Sequence, residues 1–392
     1  MKYRPEIDGV RALAVVPVVL FHAGFKGFEA GFIGVDVFFV ISGFLITTIL
    51  VSDLERGRFS LRRFYERRAR RILPALFTVM IVTVPFAWSW MGPSQFREFA
   101  QVLIGTSLFV SNFVLWRQSD YFGAPADEKP LLHTWSLGVE EQFYAVFPIF
   151  CWIVWRFGRA NFILPVATIA LVSFAVGEWG WRNEPTANFY LPFTRAWELL
   201  AGALCALIWR HGAPRPTDWP ALIGLALIGV SLVIYSERTP FPSVFTILPV
   251  AGTCLILLFA GHGTWTARML AAPPLVGIGL VSYGFYLWHQ PLFALARVGG
   301  GFASGGWAMG ALAVLALGLA YLTWRFIENP VRARQSVFGR RHVVAASAIG
   351  LTIFAALGGT WSYTISQGYF RFAKIPYSGP LINVDDAQQA SW

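Results

Sequence analysis

The sequence predicts an all-α, polytopic membrane bundle of about ten core spans plus an eleventh, C-terminal one. The N-terminus is placed in the cytoplasm and the C-terminus in the periplasm. Three observations predict it. The 392 residues are 56% hydrophobic and 13% charged, with mean hydropathy +0.56; a soluble domain carries roughly a quarter charged residues. Apolar runs recur along most of the chain. Basic residues gather in short turns between them, the asymmetry that sets membrane orientation. The 35 Phe and 17 Trp suit lipid-facing packing and interfacial belts. The net charge of +10 follows those turns and does not point to nucleic acid.

Twelve apolar runs stand near 9–24, 31–50, 72–91, 99–116, 137–157, 160–179, 194–209, 219–235, 244–260, 275–295, 307–327 and 343–366. The opening MKYRPEIDGV mixes acids with bases, and no small-residue cleavage site follows the first run. It reads as a retained span, not a signal peptide. The loop 52–71 holds eight arginines against three acids, so it lies inside, with the N-terminus. The hairpin tip at 26–30 is then outside. The run 99–116 decides the rest. If it crosses, the turns at Arg156/Arg159, Arg210/Arg215 and Arg332–Arg341 face outward. If it does not, about two thirds of the 31 lysines and arginines face inward. Residues 93–136 are therefore read as a periplasmic segment with 99–116 re-entrant or interfacial, leaving eleven spans. The division is 1–332 for the main transmembrane domain, 333–366 for a cytoplasmic turn and eleventh span, and 367–392 for a polar linker tail. The tail is too short to fold alone; either the chain stops there or a periplasmic domain follows. Cys151, Cys205 and Cys254 lie in apolar runs and read as small hydrophobes. No His/Cys/Asp/Glu group has ligand spacing, so no metal is expected.

Within the first run, Arg11 and His22 stand 11 residues apart. On a helix they share one face, roughly 16 Å apart along the axis. An ionisable residue inside a membrane helix is expensive and faces a protein interior or a polar cavity. Two on one stripe suggest a lined path; alternatively, Arg11 snorkels at one boundary and His22 sits at the other.

Several segments together resemble the acyltransferase-3 family of bacterial membrane acyltransferases. They are RALAVVPVVLFH at 11–22, GVDVFFVISGFLI at 34–46, RRARRILPAL at 67–76, HTWSLGVEEQFY at 133–144, FTRAWELLAG at 193–202, SYGFYLWHQPLF at 282–293 and FIENPVR at 326–332. The set spans 4–332. The resemblance implies a multi-pass protein of the bacterial inner membrane that uses cytoplasmic acyl-CoA, most often acetyl-CoA, to O-acylate an extracytoplasmic glycan. HTWSLGVEEQFY looks most like the O-antigen (lipopolysaccharide) O-acetyltransferase branch. Members of that branch often continue through an extra span into a periplasmic SGNH-type domain; 343–366 and the tail fit that plan, and the SGNH domain is absent from this sequence.

Such a transfer needs a cationic donor dock, a conduit, a base and an acceptor site. Arg67, Arg68, Arg70 and Arg71 supply the dock, since guanidinium forks bind phosphate; 67/70 and 68/71 each share a helical face, and the family's RxxR element lies in this stretch. The same loop also reads as a positive-inside anchor. Arg11 would sit at the inner mouth, paired with Asp8 or touching CoA. His22 would be the general base, neutral near pH 7. Asp36, in the second span, would orient that imidazole, or else serve as a helix-start carboxylate. Glu140 and Glu141, read as opening the fourth span at its periplasmic end, would orient His22, bind sugar hydroxyls or act as a second base. His133, Trp135 and Tyr144 would form a sugar-facing shelf, and His289 a further acceptor contact. Arg195 and Glu198 read as a structural i,i+3 pair, and Glu328 as a solvated helix end. A transporter of a glycan or acyl donor, or a scaffold for a catalytic partner, are the competing classes. Acyl-CoA consumption that depends on His22 separates them.

Overall fold

The structure is a computed structural model that describes residues 3–119, 124–158, 162–299, 306–333, 339–371 and 373–374. Most of the tail read as a linker, 372 and 375–392, lies outside the described residues, as does 334–338 of the turn before the last helix.

The chain is helical almost throughout. In order the helices are α1 Pro5–His22, α2 Gly34–Glu55, α3 Leu61–Trp90, α4 Pro93–Ser107, α5 Ser111–Arg117, α6 Thr134–Arg156, α7 Ile163–Asn183, α8 Pro185–Tyr190, α9 Pro192–Gly212, α10 Asp218–Ile234, α11 Ile247–Phe259, α12 Trp265–Leu270, α13 Pro273–Val298, α14 Gly306–Thr323, α15 Asn329–Ala333 and α16 Arg340–Ser366. A π-helical turn, Trp324–Glu328, joins α14 to α15, and a two-residue hairpin (β1 Tyr369–Phe370, β2 Ala373–Lys374) follows α16. Seven of the described helices are long and apolar enough to cross a membrane. Large hydrophobics such as Val146, Leu164, Leu171 and Val314 stay exposed on them, as a lipid-facing surface requires. With the helical membrane folds this makes a multi-pass membrane protein.

The site-bearing helices α1 and α13 carry polar groups within apolar runs. The 18 residues of α1 include Glu6, Asp8 and Arg11, and α13 carries Ser282, Tyr283, Tyr286, His289 and Gln290 along its inner face. They pack against each other at the centre, and Gly279 is what allows it: a Cβ there would lie 1.9 Å from the Asp8 carbonyl oxygen. α2 and α9 meet the same way. A Cβ on Gly43 would fall 1.8 Å from the Leu199 carbonyl oxygen, and one on Gly202 would fall 1.9 Å from that of Val40. Small residues let backbones approach where hydrophobicity cannot drive association.

The run 99–116 is not one helix. α4 has 15 residues, about 22 Å by helical rise, short of a ~30 Å hydrocarbon core. It ends at Ser107, and Phe109, with φ of 56°, reverses the chain before α5. The Gln142 side-chain amide donates to the Phe109 carbonyl and to Asn112 Oδ1, both at 2.8 Å, and holds the break. The run at 219–235 becomes a helix of its own length, 17 residues, while that at 244–260 becomes a short 3-10 turn followed by a helix of 13 residues. α16 packs outside, against α3 and α4.

Candidate active site

Two cavities lie along α1, one toward Arg11 and one at His22. The first is lined by Arg11, Arg68, Arg71, Ser42, Glu140, Tyr144, Tyr283 and Tyr286, among apolar residues of α2. Of the four α3 arginines read as the dock, one pair lines the cavity. Arg68 and Arg71 turn inward. Arg67 pairs with Asp53 at 2.8 Å and stays exposed. Arg70 is buried against Glu66 at 2.9 Å and reaches the Val331 carbonyl. Arg68 pairs with Glu141 at 3.1 Å and lies over the Tyr144 ring at 4.0 Å. Glu140 accepts from the Ser42 and Tyr144 hydroxyls. Arg11 pairs with Asp8 at 3.2 Å. Arg71 faces Arg11, Arg68 and Arg332 and has no carboxylate partner among the described residues. An unpaired guanidinium among other cations is a site for a polyanion.

These positions correct four readings. Glu140 and Glu141 stand two turns inside α6, which begins at Thr134, and serve the arginine cavity; neither meets His22. Tyr144 lies with them and belongs to no sugar shelf beside His133, which is 11 residues or about 16 Å away along α6. Glu328 is 2% exposed and ion-paired with Arg332 at 2.5 Å, not a solvated helix end. Arg67 and Arg70 are engaged with Asp53 and Glu66, outside the cavity.

The second cavity, about 410 Å³, is lined by His22, Trp135, Phe189, Tyr190, Arg195, Phe241, Asp127 and Tyr286, among others. His22 ends α1, and Arg297 clamps that end by donating to the His22 carbonyl at 2.6 Å and the Asp127 carbonyl at 3.1 Å. His22 Nδ1 lies 3.0 Å from His289 Nε2, with the rings stacked. His133 is 1% exposed, edge-on to His289 at 5.6 Å between ring centroids, and neither of its ring nitrogens has a hydrogen-bond partner among the described residues. Trp135 lines the cavity and packs on Phe189 at 4.6 Å.

Asp36 is the fifth correction. It does not orient His22. The Gly43–Gly202 contact turns its face of α2 toward α9, where it accepts from Arg195 Nη2 at 2.7 Å. Glu198 Oε1 lies 3.0 Å from Arg195 Nε, and all three side chains are at most 1% exposed. His289 occupies the place beside His22 that Asp36 was read to hold.

Val35 and Tyr286 line both cavities. The Tyr286 hydroxyl lies 2.7 Å from Ser136 Oγ and 3.1 Å from the His133 carbonyl oxygen. The family model described as an acyltransferase domain matches residues 4–325. The chain belongs to the acyltransferase-3 family. At 30% identity it is similar to the peptidoglycan O-acetyltransferase OatA of Listeria monocytogenes, over 84% of this chain and 56% of that one. It is similar at the same identity to the O-acetyltransferase OatA of Staphylococcus aureus, over 85% and 58%, and to YrhL of Bacillus subtilis, over 99% and 66%. The chain thus spans 56–66% of the length of these curated relatives. No solved structure matches it. The Listeria and Bacillus relatives are named for peptidoglycan, the latter as a putative enzyme, and none of these three is named for the O-antigen branch read from HTWSLGVEEQFY.

Within this acyltransferase-3 domain, Tyr286, Ser136 and Arg297 are the contributors that the sequence reading missed. Tyr286 was within reach of it: three residues before His289 in SYGFYLWHQPLF, it shares the helical face of that histidine. Among the described residues no group of three His, Cys, Asp or Glu side chains could hold a metal.

Proposed function

We propose that this chain is the membrane-embedded O-acyltransferase of the bacterial cell envelope that its family suggests, taking an acetyl group from cytoplasmic acetyl-CoA to a hydroxyl of an extracytoplasmic glycan across the inner membrane. The observation that carries the proposal is the junction. An arginine-lined cavity and a histidine-lined cavity lie on one helix stripe and share Val35 and Tyr286. By the positive-inside asymmetry the arginine end faces the cytoplasm. Arg11, Arg68 and the unpaired Arg71 receive the CoA phosphates, and the narrow inner cavity, about 90 Å³, suits a linear thioester arm. The broader outer cavity, with Trp135, Phe189, Tyr190 and Phe241, suits a sugar ring stacked on aromatic faces.

His22 acts as the base. It takes the proton of the acceptor hydroxyl, the oxygen attacks the acyl carbonyl carbon, the carbon–sulfur bond breaks, and the proton passes to the departing CoA sulfur. Peptidoglycan, named for the Listeria relative, is the first acceptor to test, ahead of O-antigen. A periplasmic SGNH-type domain would belong to the delivery step.

The test uses proteoliposomes with acetyl-labelled CoA on the arginine side and glycan on the other. The parent should transfer label and His22→Ala should lose at least a hundredfold, within the range for removing a general base. Equal CoA consumption by both overturns His22 as the base. Failure to bind CoA overturns the acyltransferase reading.

A further inference from the structure

We infer that His289 is a positioning residue that holds His22 in its base-competent tautomer. The inference rests on the reading of His22 as the base. Its argument is a count of protons. A neutral imidazole has one N–H and one lone pair, on opposite nitrogens. His22 Nδ1 and His289 Nε2 are 3.0 Å apart, so one of them donates and the other accepts. If His289 donates, the His22 proton sits on Nε2 and that nitrogen cannot take another. If His22 donates, its Nε2 lone pair is free.

The base reading decides between the two. Nδ1 of His22 is the nitrogen that faces His289, so Nε2 is the one left to meet an acceptor hydroxyl. A base at Nε2 carries its own proton on Nδ1, and the group it meets there must accept. His289 Nδ1 is buried with no hydrogen-bond partner among the described residues, and a proton on it leaves His289 Nε2 as that acceptor. His22 Nδ1–H therefore donates to His289 Nε2, and His22 Nε2 is the lone pair at the outer cavity, which His22 lines. When His22 takes the acceptor proton, the resulting imidazolium keeps its Nδ1–H bond to His289. A neutral acceptor does the orienting work of a triad carboxylate without adding a second charge to a buried site. The other charged or titratable groups facing the pair are His133 from α6, Arg297 from α13 and Asp127 from the 126–128 turn. Asp127 and Arg297 oppose each other in sign.

Two substitutions and one spectrum test this. His289→Ala removes the acceptor. His289→Gln places an amide oxygen about where Nε2 stood. The alanine variant should lose about a hundredfold in kcat or more, with KM for acetyl-CoA within twofold of the parent. The glutamine variant should stay within tenfold of the parent. Nitrogen NMR of histidine-labelled full-length protein in lipid, with His22 assigned by its loss in His22→Ala, should show the Nδ1–H tautomer in the parent and in His289→Gln. It should show a mixture in His289→Ala. A parent-like kcat in His289→Ala overturns the inference, as does a folded His289→Gln as slow as alanine, or a His22 proton on Nε2 in the parent. If His22→Ala keeps full transfer, the base reading fails by itself, and the spectrum still decides the tautomer.

Discussion

Arg71 and Arg67 sit four residues apart in one arginine-rich stretch, and the structure gives them opposite tasks. Arg67 spends its charge on Asp53 and stays half exposed, a surface pair worth about 1 kcal/mol or less. Arg71 faces other cations and makes no ion pair among the described residues, so a bound polyanion is the group that would relieve it. Arg71→Ala should raise KM for acetyl-CoA tenfold or more, with the weakening seen equally in CoA binding, and Arg67→Ala should change it twofold or less. Steady-state kinetics and CoA titration on the purified protein check both. The sequence put 67/70 and 68/71 each on one helical face; it did not show which pair looks inward, and Arg67 and Arg71, four residues apart, are helical neighbours too. That depends on Glu66, Asp53 and Glu141, drawn from three helices. Asp36 was misread for a related reason. Its depth on α2 matched that of His22 on α1, but depth does not fix azimuth. The partner that claims it, Arg195, lies 159 positions away. Removing one member of such a buried pair costs more than the pair contributes, since the remaining charge is stranded.

At the scale of elements, hydropathy found the lipid-facing helices and was least informative about the two that matter most. α1 and α13 showed as the apolar runs 9–24 and 275–295 like the others, and what set them apart was the Arg11–His22 stripe and the SYGFYLWHQPLF run. The break between α4 and α5 was legible only as a doubt about 99–116. No Gly or Pro stands at Phe109, and the turn is held by Gln142 from another helix. The α2–α9 contact has a direct test. Gly43→Ala puts a methyl 1.8 Å from a backbone oxygen that cannot swing aside, so the helices must part. Overpacking of this kind costs about 1–3 kcal/mol, and it loosens the Asp36–Arg195 pair carried by the same two helices. Gly318→Ala in α14 meets nothing within 4 Å and should be neutral or slightly stabilising. Thermal unfolding in detergent, run on both variants, should separate them by several degrees; equal midpoints would mean the helices are free to shift.

For the whole molecule, what distinguishes transfer from transport is whether the two cavities ever need to become one. A transporter must pass its cargo through Val35 and Tyr286 from one side to the other. In the proposed transfer only an acyl group reaches that junction, CoA staying on the arginine side and the glycan on the histidine side. Val35 is small, buried to 7% exposure, and lines both cavities, so enlarging it acts on the junction and leaves both docking ends in place. Val35→Phe should leave CoA affinity within twofold, because Arg11, Arg68 and Arg71 are untouched, and should cut acetyl transfer at least tenfold by keeping the thioester carbon from the His22 side. The parent in sealed proteoliposomes should deliver labelled acetyl to outside glycan while labelled CoA remains on the side where it was supplied. Label from the CoA moiety on the glycan side would indicate a continuous conduit. Unchanged transfer in Val35→Phe, with unchanged unfolding temperature, would place the acyl path somewhere other than this junction.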